Sequence, residues 1–367
     1  MLLLNWVYYP PVGHAVESFK VAKGLAIANE GVAIHLMLNS RTAVELSGAC
    51  DWIEQTYAID VGDVARKGDE AGCLRGIPCE WDYIVNDHRP TCSPFPFEQS
   101  LRAFHDLAAE RFHARLWRGG QHELPSPGSP RYRRNATIRM KVPQVARAFV
   151  RTLPLSNLNV VLIPGGSSPE PIYPSADRWR TVLRALQEEF STAHFFITGR
   201  SAADDRSSTL GFPLKVVESL ARTSGNTFNC YDIGIWNQLA LIECSNMLIA
   251  PHTGFAFLAP SVGTPWLAVS GVRWPECYFN DVPFYSVLPS CRDYPCWSGM
   301  RPGCGERLAA EETVPCMAEE FEDRISDLVN GARLLLSGEF SFDQATALHR
   351  LRIKQMGLTE ERFFQIE

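Results

Sequence analysis

A threonine–glycine pair in the second half of the chain has the residue types and the position of an anion-binding turn. Asn246–Gly271 reads NMLIAPHTGFAFLAPSVGTPWLAVSG, which predicts a buried strand, a sharp turn at Thr253-Gly254, a compact helix and a second strand. The amino end of a helix presents backbone N–H groups and a positive dipole end, and phosphate is the anion that usually binds there. An ordinary βαβ unit with a glycine turn has the same local pattern, so this stretch alone leaves both interpretations open.

Three other predicted strands of this half also end in glycine or polar residues. The residues that follow them are Gly165, Gly166, Ser167 and Ser168 after 158–164, Gly199 and Arg200 after 194–198, and Asp232 after 227–231. Glycine lets a backbone approach a ligand closely, and hydroxyls add hydrogen-bond donors. Arg200 suits contact with a phosphate or a base, although a surface arginine fits the sequence equally well. Because the carboxyl ends of parallel strands meet at one edge of a sheet, these turns, together with His252, Thr253 and Gly254, favour a nucleotide-phosphate site.

The first half of the chain offers His14 as a candidate catalytic side chain. Residues 2–8 predict a buried strand, and a helix follows the turn that contains this histidine. An imidazole at that junction can accept a proton at neutral pH, whereas a histidine that only caps the helix is the structural alternative. Glu17 is three residues further along the same helical face, where it would either orient the ring or remain a solvated helix residue.

Four cysteines near the carboxyl end could hold a structural metal ion. Cys291, Cys296, Cys304 and Cys316 have the spacing C-x4-C-x7-C-x11-C in a segment rich in proline and glycine. A tetrahedral thiolate site would stabilise such a segment directly, with Cys277 as a substitute ligand. Four reduced cysteines, or a disulfide formed on isolation, are the alternative.

Length, composition and charge limit the class of protein. A chain of 367 residues exceeds one ordinary domain, and its 46% hydrophobic residues supply apolar material for two cores. The net charge of −6 argues against a nucleic-acid partner. No apolar run approaches the length of a membrane span, and the apolar start at residues 1–4 is too short for a signal peptide. The eleven cysteines are therefore expected to be reduced or metal-bound, and the location cytoplasmic.

Strand and helix patterns alternate through both halves, which predicts an α/β protein with parallel, doubly wound sheets. The apolar spacing at 99–117 predicts a helix, and the glycines and charges at 61–79 predict a loop. The segment 152–157 is the natural linker, so a first domain is expected at 1–152 and a second at 153–340.

Residues 158–271 resemble the carboxyl-terminal domain of glycosyltransferase family 9, the ADP-heptose transferases of lipopolysaccharide synthesis. The resemblance rests on PGGSS, ITGR, the predicted helix at 239–244 and HTGFAFLAPSVGTPWLAVSG. The last segment matches the family pattern Asp-Thr-Gly-x-x-His-x-Ala-x-x-x-Gly-x-Pro at Thr253, Gly254, Ala259, Gly263 and Pro265. It departs from that pattern because the acidic residue is His252 and the helix histidine is Phe257, and a lysine expected near Pro171 is absent.

The first 150 residues resemble the family less closely, but Gly13-His14 stands where the family has Gly-Asp, its proposed base. The same pair resembles the Gly-His that opens the first helix of natural-product glycosyltransferases, in which the histidine is the base. Both resemblances imply that His14 would act as the base.

The resemblance also implies the GT-B fold, in which two Rossmann-like domains with parallel sheets face each other across a cleft, and a carboxyl-terminal helix, here within 341–367, crosses back to the first domain. A nucleotide-diphosphate sugar would bind the second domain and a glycan or small-molecule acceptor the first, with inversion and no metal required for the chemistry. A similar Cys-Pro-rich segment binds iron in some relatives, so the ion expected at the four cysteines is zinc or iron. Its role would be structural. A sugar-nucleotide isomerase of the 2-epimerase kind, or a non-catalytic carbohydrate-binding protein of the same fold, is the alternative.

Overall fold

Two compact units make up the protein in the computed structural model. The structure describes residues 1–8, 10–87, 98–120, 127–167, 172–201, 206, 208–209, 211–271, 280–291, 294, 302–310 and 312–358. Unit 1 comprises Met1–Lys141 with Asp205–Ser207, and unit 2 comprises Val142–Asp204 with Ser208–Glu367. No helix of the described residues has both the length and the apolar character that crossing a membrane requires.

Unit 1 is built on a parallel sheet whose first strand is buried throughout. Its strands are β1 (Leu2–Trp6), β2 (Ile34–Asn39), β3 (Gln55–Ile59), β4 (Glu80–Asn86) and β5 (His113–Gly120). Its helices are α1 (Val12–Ala28), α2 (Val61–Lys67) and α3 (Glu98–Arg111), with 3₁₀ turns at Val44–Ala49, Gly68–Glu70 and Gly72–Leu74. The strand order β3-β2-β1-β4-β5 reverses direction between β1 and β4, which makes that pair of strands the topological switch point.

Two sequence predictions in unit 1 are wrong. The predicted loop at 61–79 contains α2, which begins because the Asp60 carboxylate accepts hydrogen bonds from the backbone N–H groups of Gly62 and Asp63. The helix predicted at 99–117 ends at Arg111, and the remaining residues form β5. No residue of this edge strand is buried, so it has no buried apolar run, and the Arg118 guanidinium donates to the Ala109 carbonyl at the end of α3 at 2.8 Å.

Unit 2 repeats the arrangement with six strands in the described residues. They are β6 (Asn159–Leu162), β7 (His194–Gly199), β8 (Thr227–Tyr231), β9 (Met247–Pro251), β10 (Trp266–Val269) and β11 (Phe284–Val287). The order β11-β10-β9-β6-β7-β8 is the 3-2-1-4-5-6 order of a dinucleotide-binding fold, so its switch point lies between β6 and β9. The two doubly wound parallel sheets confirm the predicted α/β class with two Rossmann-like domains.

The described residues of unit 2 contain eight α-helices. They are α4 (Gln144–Val150), α5 (Ala176–Glu189), α6 (Leu214–Ala221), α7 (Ile235–Glu243), α8 (Leu258–Val262), α9 (Pro302–Ala309), α10 (Ile325–Leu336) and α11 (Phe342–Gln355). Two charge-assisted hydrogen bonds of 2.6 and 2.7 Å from the Arg147 guanidinium to the Glu243 carboxylate join α4 to α7. Helix α4, which precedes the predicted linker at 152–157, therefore packs within unit 2.

The last described helix, α11, packs on the edge strand of the second sheet. Its Arg352 donates to the Ser286 carbonyl at 2.8 Å and to the Asp327 carboxylate at 2.6 Å, and that carboxylate also accepts a 2.6 Å bond from the Tyr285 hydroxyl. Ser341 and Gln344 form a capping box at its amino end. These contacts attach α11 to β11, and its expected crossing to the first domain stays a prediction.

One histidine of α11 is enclosed by this packing. His349 is 3% exposed, and its ring meets the edge of Phe284 at a centroid distance of 5.6 Å. Burial, with a smaller effect of the Arg352 charge, lowers the pKa of His349 to about 3. The folded protein therefore keeps this imidazole neutral over the whole range in which an exposed histidine would take up a proton.

We expect His349 to make unit 2 acid-sensitive. In the unfolded chain its pKa returns to about 6.5, so below that pH the unfolded state binds a proton that the folded state excludes. The free energy of unfolding should fall by up to about 1.4 kcal/mol per pH unit between pH 6.5 and 3. When the pH is lowered from 7.5 to 5.0, the free energy of unfolding in urea should therefore fall by about 2 kcal/mol less for His349→Asn than for the wild type. The exposed His113→Asn serves as the control, and equal pH slopes for His349→Asn and wild type would contradict the assignment.

Candidate functional site

The switch point of unit 2 brings two of the predicted loops together. Strand β6 pairs with β9, and just beyond them the loop after β6 touches the turn after β9. A Cβ built on Gly166 would lie 2.8 Å from both Cβ and Oγ1 of Thr253, and 2.8 Å from the Tyr173 hydroxyl. The neighbouring Gly165 is similarly enclosed, with the Phe212 ring 3.0 Å from its built Cβ. Only glycine lets these two loops approach so closely, whereas the approach of a ligand to these glycines stays a prediction.

The turn after β9 is organised by Thr253. Its hydroxyl oxygen accepts a bond of 3.2 Å from the Phe255 N–H, and its carbonyl accepts one of 3.0 Å from the Ala256 N–H. The predicted compact helix starts as a 3₁₀ turn at Gly254–Phe257 and continues as α8. The N–H groups of Phe255 and Ala256 are therefore bonded within the turn, and the predicted anion site at Thr253-Gly254 stays a prediction.

An aromatic cluster supports this turn. The His252 and Phe257 rings meet edge to face at 5.4 Å, and Phe257 meets Trp266 in the same way at 5.6 Å. The Trp266 indole N–H donates to the Ala250 carbonyl of β9 at 3.2 Å. The two positions that depart from the family pattern, His252 and Phe257, thus contact each other.

The predicted residues at the ends of β7 and β8 also meet. Gly199 lies against the Tyr231 ring, where a built Cβ would come within 2.5 Å of Cζ, and its carbonyl accepts a 3.2 Å bond from the Asp232 N–H. Arg200 exchanges two hydrogen bonds with Thr209, of 3.1 and 2.7 Å. Burial raises the pKa of Tyr231, so its phenol stays protonated. Ser167 is exposed next to Gly166, and Ser168 lies outside the described residues.

In unit 1, His14 lies in the first turn of α1, directly after β1. Its Nδ1 is 3.7 Å from the Glu17 carboxylate, an ion-pair distance when the ring is protonated, and the Tyr8 ring meets its edge at 5.0 Å. The same Glu17 oxygen accepts a 3.2 Å bond from the Trp6 indole N–H of β1. The structure thus brings the two predicted catalytic residues together, half-buried, and attaches the carboxylate to the sheet.

Tyr132 is a neighbour of this pair that the sequence pattern did not indicate. Its ring packs on α1 where a Cβ on Gly24 would come within 2.6 Å, and the adjacent Arg133 N–H donates to the Gly24 carbonyl at 3.2 Å. Burial, and secondarily the charge of Glu17, raises the pKa of Tyr132 to about 12. The phenol is therefore a hydrogen-bond donor at neutral pH. The segment has no periodicity, so only the three-dimensional structure reveals this contact.

The cysteines proposed as metal ligands lie in different surroundings. Cys304 and Cys316 are buried in the main core of unit 2, whereas Cys291 packs in a separate cluster with Leu288 and Tyr294. The described residues contain no group of three histidine, cysteine or acidic side chains that could hold a metal ion. Cys296 and Cys277 lie outside the described residues. The described thiols do not by themselves form a metal site, and the four-cysteine site for zinc or iron stays a prediction.

Comparison with known proteins supports the architecture. No family model and no curated protein matches the sequence. Among solved structures, the chain is similar to E. coli ADP-heptose lipopolysaccharide heptosyltransferase II, with a TM-score of 0.56, 13% identity, and coverage of 92% of this chain and 99% of that one. A family 9 glycosyltransferase from Veillonella parvula gives a TM-score of 0.58, 13% identity and coverage of 92% and 97%. E. coli heptosyltransferase WaaC with ADP gives a TM-score of 0.54 at 10% identity, with coverage of 84% of this chain and 99% of that one.

At these identities the likeness concerns the fold. The chain shares the two-domain GT-B fold of these glycosyltransferases, and the resemblance to family 9 stated from the sequence is confirmed at that level.

We expect Gly166→Ala to be destabilising because a methyl group has no room between Thr253 and Tyr173. Overpacking of this kind typically costs about 1–3 kcal/mol. Gly225→Ala is the matched control, since its built Cβ has no atom within 4 Å, and it should be neutral or stabilising by about 0.4–1 kcal/mol. Urea unfolding of unit 2 measures both variants, and equal stabilities would show that the loops separate without cost.

Proposed function

We propose that the chain is an inverting glycosyltransferase that moves a sugar from a nucleotide-diphosphate sugar to a hydroxyl group of a glycan or small molecule. The observation that carries the proposal is the contact between Gly166 and Thr253 at the switch point of the second sheet. Ligands of doubly wound sheets bind at that point, outside the carboxyl ends of the strands. The likeness to solved heptosyltransferases, one of them described with ADP, supports the same assignment.

In this proposal the donor diphosphate lies on the loop after β6 and the turn after β9. Gly165 and Gly166 let it approach the backbone, and Ser167 and Thr253-Gly254 supply hydroxyl and N–H groups nearby. A leaving diphosphate gains negative charge as the glycosidic bond breaks, so donors already fixed by the fold stabilise that charge without further reorganisation. Arg200, at the next strand end, adds a positive charge on the same edge.

The acceptor reacts on unit 1, with His14 as the base. Because Nδ1 faces Glu17, Nε2 is the nitrogen that would take the proton from the acceptor hydroxyl. The oxygen then forms a bond to the anomeric carbon while the bond from that carbon to the diphosphate oxygen breaks. A single displacement of this kind inverts the anomeric centre. Glu17, held by the Trp6 indole, orients the ring and stabilises the imidazolium.

The aromatic cluster at the turn bears on the identity of the donor. Where the family pattern has an acid and a histidine, this chain has His252 packed on Phe257. The side chains that would contact the transferred sugar therefore differ, and we propose a donor other than ADP-heptose or a small acceptor.

A panel of nucleoside diphosphates and their sugars tests the proposal directly. A nucleotide present at 100 times its dissociation constant should stabilise unit 2 by about 2.7 kcal/mol, which a thermal shift measures. Turnover of the best donor is then followed with and without candidate acceptors. Isomerisation of the donor without acceptor would favour the epimerase alternative, and absence of any shift would contradict nucleotide binding.

We expect His14→Ala to lower the turnover number by about 10²–10⁴-fold because the base acts in the transition state. Donor affinity, measured by calorimetry, should stay unchanged because His14 belongs to unit 1. Wild-type turnover in this variant would show that His14 is not the base and only contributes to the start of the helix.

Glu17→Gln separates orientation from chemistry. The amide oxygen can still accept the Trp6 N–H, but the negative charge that supports the imidazolium is lost. We expect a smaller loss of turnover than in His14→Ala and no further loss in the double variant, since the carboxylate acts through the histidine. Independent, multiplicative effects of the two changes would contradict that role.

A further inference from the structure

The side chain of Asp232 joins the ends of two strands at the site edge. One carboxylate oxygen accepts the Ser201 N–H at 2.9 Å, and the other accepts the Ser201 hydroxyl at 2.6 Å. The Asp232 backbone has a φ of 57°, in the left-handed region, which aspartate tolerates better than most residues. The carboxylate of β8 is therefore fixed across the end of β7, and Asp232 remains exposed.

Asp232 and Ser201 lie at the same edge of the second sheet as the proposed diphosphate loops. The segment after β7 connects them, because Phe212 packs on Gly165 while Thr209 is bonded to Arg200. Neighbouring strands are about 4.8 Å apart, so the end of β8 is about 10 Å from the end of β6. A diphosphate with its attached ribose can bridge that span.

In dinucleotide-binding folds, an acidic residue after the second strand accepts hydrogen bonds from the ribose hydroxyls. The second strand of unit 2 is β7, and Arg200-Ser201 follow it directly. Asp232 comes from the third strand, and its bonds to Ser201 place a carboxylate at the end of the second. Each carboxylate oxygen has a second lone pair, so both retain the capacity to accept from a diol.

Building on the proposed function, we infer that Asp232 recognises the ribose hydroxyls of the donor nucleotide. Ser201 is a positioning residue that holds the carboxylate in place before the nucleotide arrives. A side chain that is already fixed loses less conformational entropy on binding than a mobile one, so the pair increases affinity without an additional contact.

Calorimetry on the full chain tests this inference with ADP, GDP and UDP, and then with the 2′,3′-dideoxy counterpart of the tightest one. A hydrogen bond to a charged group implies that wild type binds the ribonucleotide about 10-fold or more tightly. Asp232→Asn should lower the affinity for the ribonucleotide to that for its dideoxy counterpart. The affinity for the dideoxy nucleotide should stay unchanged. Asparagine also tolerates the left-handed backbone, and the exposed Asp343→Asn is the control for a lost surface charge.

The outcomes separate this inference from the proposed function. If wild type binds one diphosphate but does not distinguish ribose from dideoxyribose, or if Asp232→Asn keeps the preference, the inference is wrong and the proposed function stands. Equal weakening of both nucleotides by Asp232→Asn would indicate a purely structural role and also overturn it. If none of the three diphosphates binds, both the inference and the proposed function fail.

Discussion

The close approach of Gly166 to Thr253 constrains everything that the edge of unit 2 can bind. Both residues follow strands at the switch point, where the sheet order leaves adjacent strand ends without a covering crossover. A side chain at Gly166 would meet threonine and tyrosine atoms at 2.8 Å, so the loop after β6 and the turn after β9 can share one surface only with glycine there.

In unit 1, the corresponding constraint is the one that holds the Glu17 carboxylate beside the His14 ring and partly out of solvent. Glu17 is half-buried, and the Trp6 indole N–H fixes one of its oxygens on β1. Tyr132, kept protonated by burial, closes the other side of α1 against Gly24. The carboxylate beside His14 is therefore fixed by the first strand, and the helix that carries both residues is packed by a segment remote in sequence.

The sequence was sufficient where one local signal matched the final environment. Strand β8 has the bounds predicted at 227–231, and the stretch 246–271 forms the strand, turn, helix and strand that its pattern predicts. Prediction failed at β5, because an exposed edge strand has no buried run and its pairing with β4 overrides helical spacing. The Tyr132 contact with α1 and the Asp232–Ser201 bonds could not be predicted, since both join residues that the sequence places far apart.

The turn after β9 forms without the acid and the histidine of the family pattern. An acid beside a diphosphate repels it, so the imidazole of His252 removes a negative charge from the position where the family pattern has one. The turn is supported here by the contacts from His252 through Phe257 to Trp266, whose indole N–H donates to the Ala250 carbonyl of β9. The geometry of the turn thus rests on the hydrogen bonds of Thr253 and on aromatic packing. Under the proposed function, the loop after β6 and the turn after β9 bind the phosphates, and other residues set the preference for a particular sugar.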